Sequence, residues 1–198
     1  MRSALDKLIS GAGLALVAVL AIAGGLLTWG HYFIANQVHD QLTMQQITMP
    51  AGDALSGLPK ADANALKPYA GSKLDTGPEA KAYANHYILV HMNGMAQGKT
   101  YSEISGQFVG MTDEQKASPA GQQLGQLRQS LFMGDTLRGL LLYGYAFATI
   151  GTIAGIAAIV SFGGALLLLG LVILGFRHAR QVEHTAEQLV PSRVAQPA

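Results

Sequence analysis

Two long stretches of this chain carry no charged side chain, and they limit its fold more than any other feature. The first, Leu8 to Thr28, is built mainly of leucine, alanine, valine, isoleucine and glycine. Its length is about the 20 residues that an α-helix needs to cross a hydrocarbon core. The second, Gly139 to Phe176, is bounded by Arg138 and Arg177. At ~1.5 Å per residue it measures about 57 Å as one helix, nearly twice the ~30 Å thickness of hydrocarbon. Composition points the same way. Of the 198 residues, 49% are hydrophobic and 13% charged, against about a quarter charged in ordinary soluble domains.

The first run reads as an uncleaved transmembrane helix over residues 8–29, after a short cytoplasmic N-terminus of residues 1–7. Its rival is a cleaved signal peptide, because Arg2 and Lys7 make a basic start and Ala21-Ile22-Ala23 resembles a small-residue cleavage site. The apolar stretch continues past that site through Leu26, Leu27 and Trp29, longer than the ~7–15 residues of a signal peptide's apolar region. The second run reads as one span over residues 153–176. A hairpin would put Arg177, His178 and Arg180 on the side opposite Arg2 and Lys7, against the tendency of lysine and arginine to stay in the cytoplasm. One span leaves both termini cytoplasmic, with 177–198 as a short tail, residues 30–152 extracytoplasmic, and the plasma membrane as the location.

Beyond the membrane the helices are expected to continue. After the interfacial pair Trp29 and Tyr32, the residues Ile34, Val38 and Leu42 recur every four positions and face a stretch with Leu137, Leu141 and Leu142. The fold class that follows is an all-α membrane protein. Its two long transmembrane helices extend into a stalk, with a small helical extracytoplasmic domain inserted between them. Stripes of small residues mark the candidate helix-packing faces: Gly144, Ala148, Gly151, Gly155 and Ala158 on one helix, Gly11, Ala15, Ala18 and Gly25 on the other. In lipid, close backbone approach at such residues carries helix association. These faces serve intramolecular packing first. They also suit a membrane-protein partner or a second copy of the chain, and the lipid bilayer itself is the first partner.

The inserted segment opens with Pro50, Pro59 and Pro68 among several glycines, which reads as an irregular loop over 48–77. Helix starts follow. Thr76 precedes Glu79, Thr100 precedes Glu103 and Thr112 precedes Gln115, each with the spacing of a capping box. A helix over 78–97 is expected to carry Ala84, Ile88, Met92 and Met95 on one face, with Tyr83 and Tyr87 beside them. Another, over 121–133, carries Leu124, Leu127, Leu131 and Phe132. Gly98 and Gly110 read as stops.

Little here suggests catalysis. With no cysteine, disulfides, thiolate nucleophiles and cysteine-ligated metals are excluded. A net charge of +1 gives no basic field for nucleic acid. His86 and His91, five apart on a helix, point about 140° from each other and make poor joint metal ligands. Asp113 and Glu114 begin a helix, where they complement its dipole. No catalytic residue, cofactor site or metal site is assigned.

Several segments together carry a resemblance: Arg2-Ser3-Ala4-Leu5-Asp6-Lys7, Val38-His39-Asp40-Gln41-Leu42, Thr76-Gly77 before Ala80-Lys81-Ala82-Tyr83-Ala84, Lys99-Thr100-Tyr101, and Thr136-Leu137-Arg138-Gly139-Leu140-Leu141-Leu142. The chain resembles a family of small two-span actinobacterial membrane proteins. Some members are labelled aromatic ring-opening dioxygenases, which implies iron held by converging histidines and a carboxylate in a dry pocket. The histidine spacing does not supply that set. The expectation is a non-enzymatic membrane protein: an accessory subunit, assembly factor or envelope interaction module. A membrane-tethered metal-dependent enzyme using His86, His91 and nearby acids is the alternative from another class, and an extracytoplasmic ligand sensor is a third.

Overall fold

The computed structural model describes residues 2–189, with side chains from 4 to 185; the end of the expected cytoplasmic tail, 190–198, lies outside them. Among the described residues the chain is helical, without a strand. Two helices dominate it. Helix α1 spans Arg2–Met44, uninterrupted because no proline occurs before Pro50. Helix α8 spans Pro119–Leu189. It starts where Ser118 Oγ accepts the Gly121 N–H at 3.1 Å, with Pro119 at the first helical position, where its missing donor costs nothing. The helix read over 121–133 and the apolar run from Gly139 are one element. Nothing between them breaks a helix, since the next proline is Pro191. Both α1 and α8 are long and apolar enough to cross a membrane.

Two compact units divide the chain. The first comprises Met1–Tyr32 and Thr152–Ala198, the second Phe33–Gly151.

In the first unit α1 and α8 run antiparallel, and glycines set the contact. A β-carbon on Gly13 would meet Val172 at 2.7 Å, one on Gly24 would meet the Phe162 ring at 3.0 Å, and one on Gly155 would meet His31 Nδ1 at 2.9 Å. Gly164 lies 3.6 Å from Leu20 on the same measure, and Gly175 faces Ser10. Large side chains of one helix thus enter gaps left by glycines of the other. The α1 positions Ser10, Gly13, Leu20, Gly24 and His31 follow steps of three and four or their sum, the ~3.5-residue seam of paired helices. Ala158, Ala165, Val172 and Ala179 are the buried hydrophobics of α8 here.

The second unit is built on Phe33–Met44 and Pro119–Gly151, with shorter elements between. The proline-bearing segment 48–77 is more ordered than its composition suggests. It contains α2 (Asp53–Ser56), α3 (Lys60–Leu66) and one 3-10 turn at Lys67–Tyr69. Its ends are tied by an antiparallel bridge between Thr48 and Lys73, with Met49 N–H donating to Ser72 O at 2.9 Å and Leu74 N–H to Ile47 O at 2.9 Å. Prolines limit the length of each helix without preventing it.

Helix α4 (Gly77–Tyr83) passes into a π-turn, Ala84–Ile88, and then α5 (Leu89–Ala96). The wider turn shifts the register. Ala84, Met92 and Ala96 are buried, whereas Met95 is 52% exposed, because the π-turn keeps residues four apart on one face where a regular helix would advance to Met95. The chain then reverses through Gln97 and Gly98, both at positive φ, which glycine adopts without steric cost. Helix α6 (Tyr101–Val109) and α7 (Asp113–Ala117) follow. The three capping boxes, Thr76 with Glu79, Thr100 with Glu103 and Thr112 with Gln115, are formed in both directions.

Two cores result. Val38, Leu42, Met49, Leu66, Leu74, Ala80, Ala82, Ala84 and Leu141 form the larger. Met92, Ala96, Ile104 and Leu131 form the smaller, with Leu124 and Leu127 against it. Each fully buried leucine contributes about 1.5–3 kcal/mol.

Candidate functional site

An open cavity in the second unit lies between its α1 and α8 segments and has a volume of about 500 Å³. Its lining follows from helical periodicity. On α1, Ile34, Val38 and Leu42 turn toward the core, and Gln37, Gln41 and Gln45 run beside them at spacing four. On α8, Leu137, Leu141, Tyr143, Gly144, Phe147 and Ile150 line it. Gly144 sits close to α1, its β-carbon position lying 3.5 Å from Leu42 Cδ2. No carboxylate, ammonium, guanidinium or imidazole lines the groove. Phe33 is 51% and Phe147 55% exposed, so water meets aromatic surface that a ligand or partner would cover.

The ionisable groups of this unit form separate local pairs. Glu79 is buried and accepts from Ser72 Oγ at 2.7 Å, Thr76 Oγ1 at 2.8 Å, Thr76 N–H at 3.0 Å and Asp75 N–H at 3.1 Å. Burial pushes its carboxyl up, but these donors outweigh burial and hold it below the usual carboxylate range. Burial also raises the Tyr83 phenol, helped by Tyr87 beside it. His86 Nδ1 lies 2.8 Å from Asp62 Oδ1, and His91 Nδ1 lies 2.7 Å from Tyr87 O. The two histidines thus have different neighbours. Among the described residues no three metal-ligating side chains converge.

Arg138 donates through Nη2 to Asn85 Oδ1 at 3.1 Å. Its Nε is buried without a hydrogen-bond partner, an uncommon cost in a folded chain. Asn85 sits in the π-turn, so the guanidinium ties that turn to α8.

The sequence-derived packing residues divide by helix. Gly151 and Ala158 of α8 are buried, and Gly144, Ala148 and Gly155 are partly buried. Gly155 faces His31 in the first unit, and Ala148 faces Gly77 in the second. Gly11, Ala15, Ala18 and Gly25 of α1 are exposed, and a β-carbon on Gly11 or Gly25 would meet open space. α1 uses its neighbouring face instead, at Gly13 and Gly24. Of the donors around Glu79, Thr76 was legible from its capping-box spacing, whereas Ser72, Asp75, the glutamines of the groove and the Arg138–Asn85 contact were not singled out from sequence. Among those missed, the glutamines carried a signal there, their spacing of four.

Comparison with protein-family models, with curated proteins and with solved structures gives no match.

Proposed function

We propose that this chain is a non-enzymatic two-span membrane protein that presents a helical interaction module outside the cytoplasm. The uncovered apolar surface of its two long helices carries the reading. Only 11% of the most apolar stretch of α1 and 17% of that of α8 is buried, and Leu8, Ile22, Ile159 and Leu167 are each more than 60% exposed. A helix in the core of a soluble protein buries such side chains; hydrocarbon is the solvent that favours leaving them outside.

The orientation rests on charge. Lys7 Nζ meets Glu183 Oε1 at 2.5 Å and His178 Nε2 lies 4.0 Å from Asp6 Oδ2, so the basic ends of both helices share one end of the pair. That end is cytoplasmic by the distribution of lysine and arginine. Trp29 and Tyr32 mark the other interface. On this reading residues 8–29 and 153–176 span the bilayer, and 30–152 is the extracytoplasmic module of an accessory subunit, assembly factor or envelope-binding protein. The metal-dependent enzyme is less favoured, since His86 and His91 engage different neighbours.

Alkaline carbonate extraction of membranes tests the anchor: the protein stays in the membrane pellet, and release into the supernatant overturns the reading. Affinity purification from mild-detergent extracts tests the module: a stoichiometric partner is expected, and recovery of the chain alone and monomeric under conditions that preserve known complexes argues against it.

A further inference from the structure

Helices α6 and α8 meet around one guanidinium. Tyr101, Ser105 and Phe108 share a face of α6 at spacings of four and three, and Gly125, Arg128 and Phe132 share a face of α8 at spacings of three and four. Arg128 Nε donates to Ser105 Oγ at 3.0 Å, and its Cζ lies 5.5 Å from the centre of the Phe108 ring. Tyr101 stands beside Phe132 with ring centres 5.8 Å apart. Gly125 lets Phe108 approach, since a β-carbon there would meet the ring at 3.0 Å. We propose that this cluster binds a phosphate group, with Arg128 and Tyr101 as donors and Lys116 as a second charge. All of its residues belong to the second unit, so the assignment does not depend on the two-span reading.

Charge is the first reason. Among the described residues no carboxylate pairs with Arg128. Glu103, the acid of α6, is engaged elsewhere, with Thr100 N–H and Oγ1 donating to it at 2.7 and 2.8 Å. Lys116 Nζ lies 6.0 Å from the centre of the same Phe108 ring. Its own partner, Asp113, is 3.8 Å away with a side chain 99% exposed, a pair too weak in water to cancel the ammonium. A partly buried guanidinium against an aromatic ring, with no acid beside it, attracts an anion more strongly than one in open water.

The direction of the hydrogen bonds is the second reason. The Tyr101 hydroxyl oxygen accepts from Ser105 and Arg128, and these donors hold the phenol below its usual range. An oxygen that accepts from both keeps its own hydrogen to donate elsewhere. The guanidinium likewise has more N–H groups than Ser105 and Tyr101 consume. Donors are left over and acceptors are not, which selects a ligand that is negative and rich in oxygen acceptors. A phosphate supplies several such oxygens and takes the two-pronged contact of a guanidinium. A carboxylate supplies fewer, and an apolar or cationic ligand none.

The test uses the full chain in neutral-detergent micelles free of phosphate buffer. It is titrated calorimetrically with inorganic phosphate, phenyl phosphate and acetate, and with micelles doped with phosphatidic acid. The phosphates are expected to bind and acetate to bind more weakly. Arg128→Met weakens binding about ten-fold or more and Tyr101→Phe about five-fold, the scale of a hydrogen bond to a charged group. Arg128→Lys recovers part of the loss, restoring the charge without the planar fork. Lys60→Met, which removes an exposed cation of α3, leaves binding unchanged. Because Arg128→Met also loosens the contact of α6 with α8, wild-type protein is labelled with phenylglyoxal in parallel and mapped by peptide mass spectrometry. Phosphate is expected to protect Arg128 and not the exposed Arg180. Saturation by inorganic or phenyl phosphate assigns the site to a soluble phosphate, and a response to phosphatidic acid alone, again lost in Arg128→Met, assigns it to a lipid headgroup. Acetate binding as tightly as phosphate, an equal loss in Lys60→Met, or the absence of both binding and protection overturns the proposal.

Discussion

Gly77 lies so close to Ala148 that no β-carbon fits between them, and the same atom would stand 3.3 Å from the Cα of Tyr145. The first turn of α4 is thereby seated on the backbone of α8. Gly77→Val forces that contact apart, and because Tyr145 Cα is main chain it cannot swing away. The variant is expected to destabilise the second unit by about 1–3 kcal/mol, read as a lower denaturant midpoint. Gly94→Val, with open space around its β-carbon, is the control and changes stability only through helix propensity, in which valine slightly exceeds glycine, by under ~0.5 kcal/mol.

Glu79 anchors the end of the 48–77 segment through four donors, and its charge is part of that anchor. Replacing it in Glu79→Gln turns an NH2 group toward at least one of those donors. A loss of about 1–3 kcal/mol is expected at neutral pH. Because the folded-state pKa is lowered, the stabilisation is fully present above the ordinary carboxylate value of ~4.3 and fades as pH falls through the lower folded value. The gap between wild type and variant should therefore narrow below about pH 4. A gap that widens on acidification would contradict the assignment.

Neighbouring glycines of α1 separate the two faces of that helix. Gly24→Leu pushes against the Phe162 ring, 3.0 Å from its β-carbon position, whereas Gly25→Leu projects into open space. The first is expected to weaken the helix pair by about 1–3 kcal/mol and the second to leave it within about 0.5 kcal/mol. Equal effects would mean that the pairing face is misassigned.

The absence of cysteine makes the helix pair easy to cross-link. A β-carbon on Gly175 would lie 3.6 Å from Ser10 Cβ, within the ~3.5–4.5 Å range of a disulfide. The double variant Ser10→Cys with Gly175→Cys should close a bond under mild oxidation. Protease fragments cut between the two helices then remain joined, whereas Gly11→Cys with Gly175→Cys leaves them separate.

Local chemistry made the helical character legible from sequence. Thr76, Thr100 and Thr112 with their partners three residues on announce helix starts that need only neighbouring backbone, so the capping boxes are present as read. The two apolar helices follow equally from composition. Non-local packing was less legible. α1 carries small residues on adjacent faces, and the entry of Phe162 and Val172 from α8 selects Gly24 and Gly13 over Gly25 and Gly11. The π-turn at Ala84–Ile88 replaced Met95 by Ala96 in the core, a one-residue shift that a 3.6-residue period does not contain. The order within 48–77 depends on Glu79, a residue whose capping role was visible but whose bond to Ser72 was not. The groove was hidden for a related reason: the helical spacing of Val38 and Leu42 is legible, but a cavity beside them depends on how α8 lies against them.

The central claim is the two-span topology, and cysteine accessibility tests it most directly. Lys99→Cys and Gln181→Cys place single thiols at exposed positions in a chain that otherwise has none. With a membrane-impermeant maleimide on intact cells, Lys99→Cys should label at once and Gln181→Cys only after permeabilisation. Labelling of both before permeabilisation, or of Gln181→Cys alone, would contradict the account.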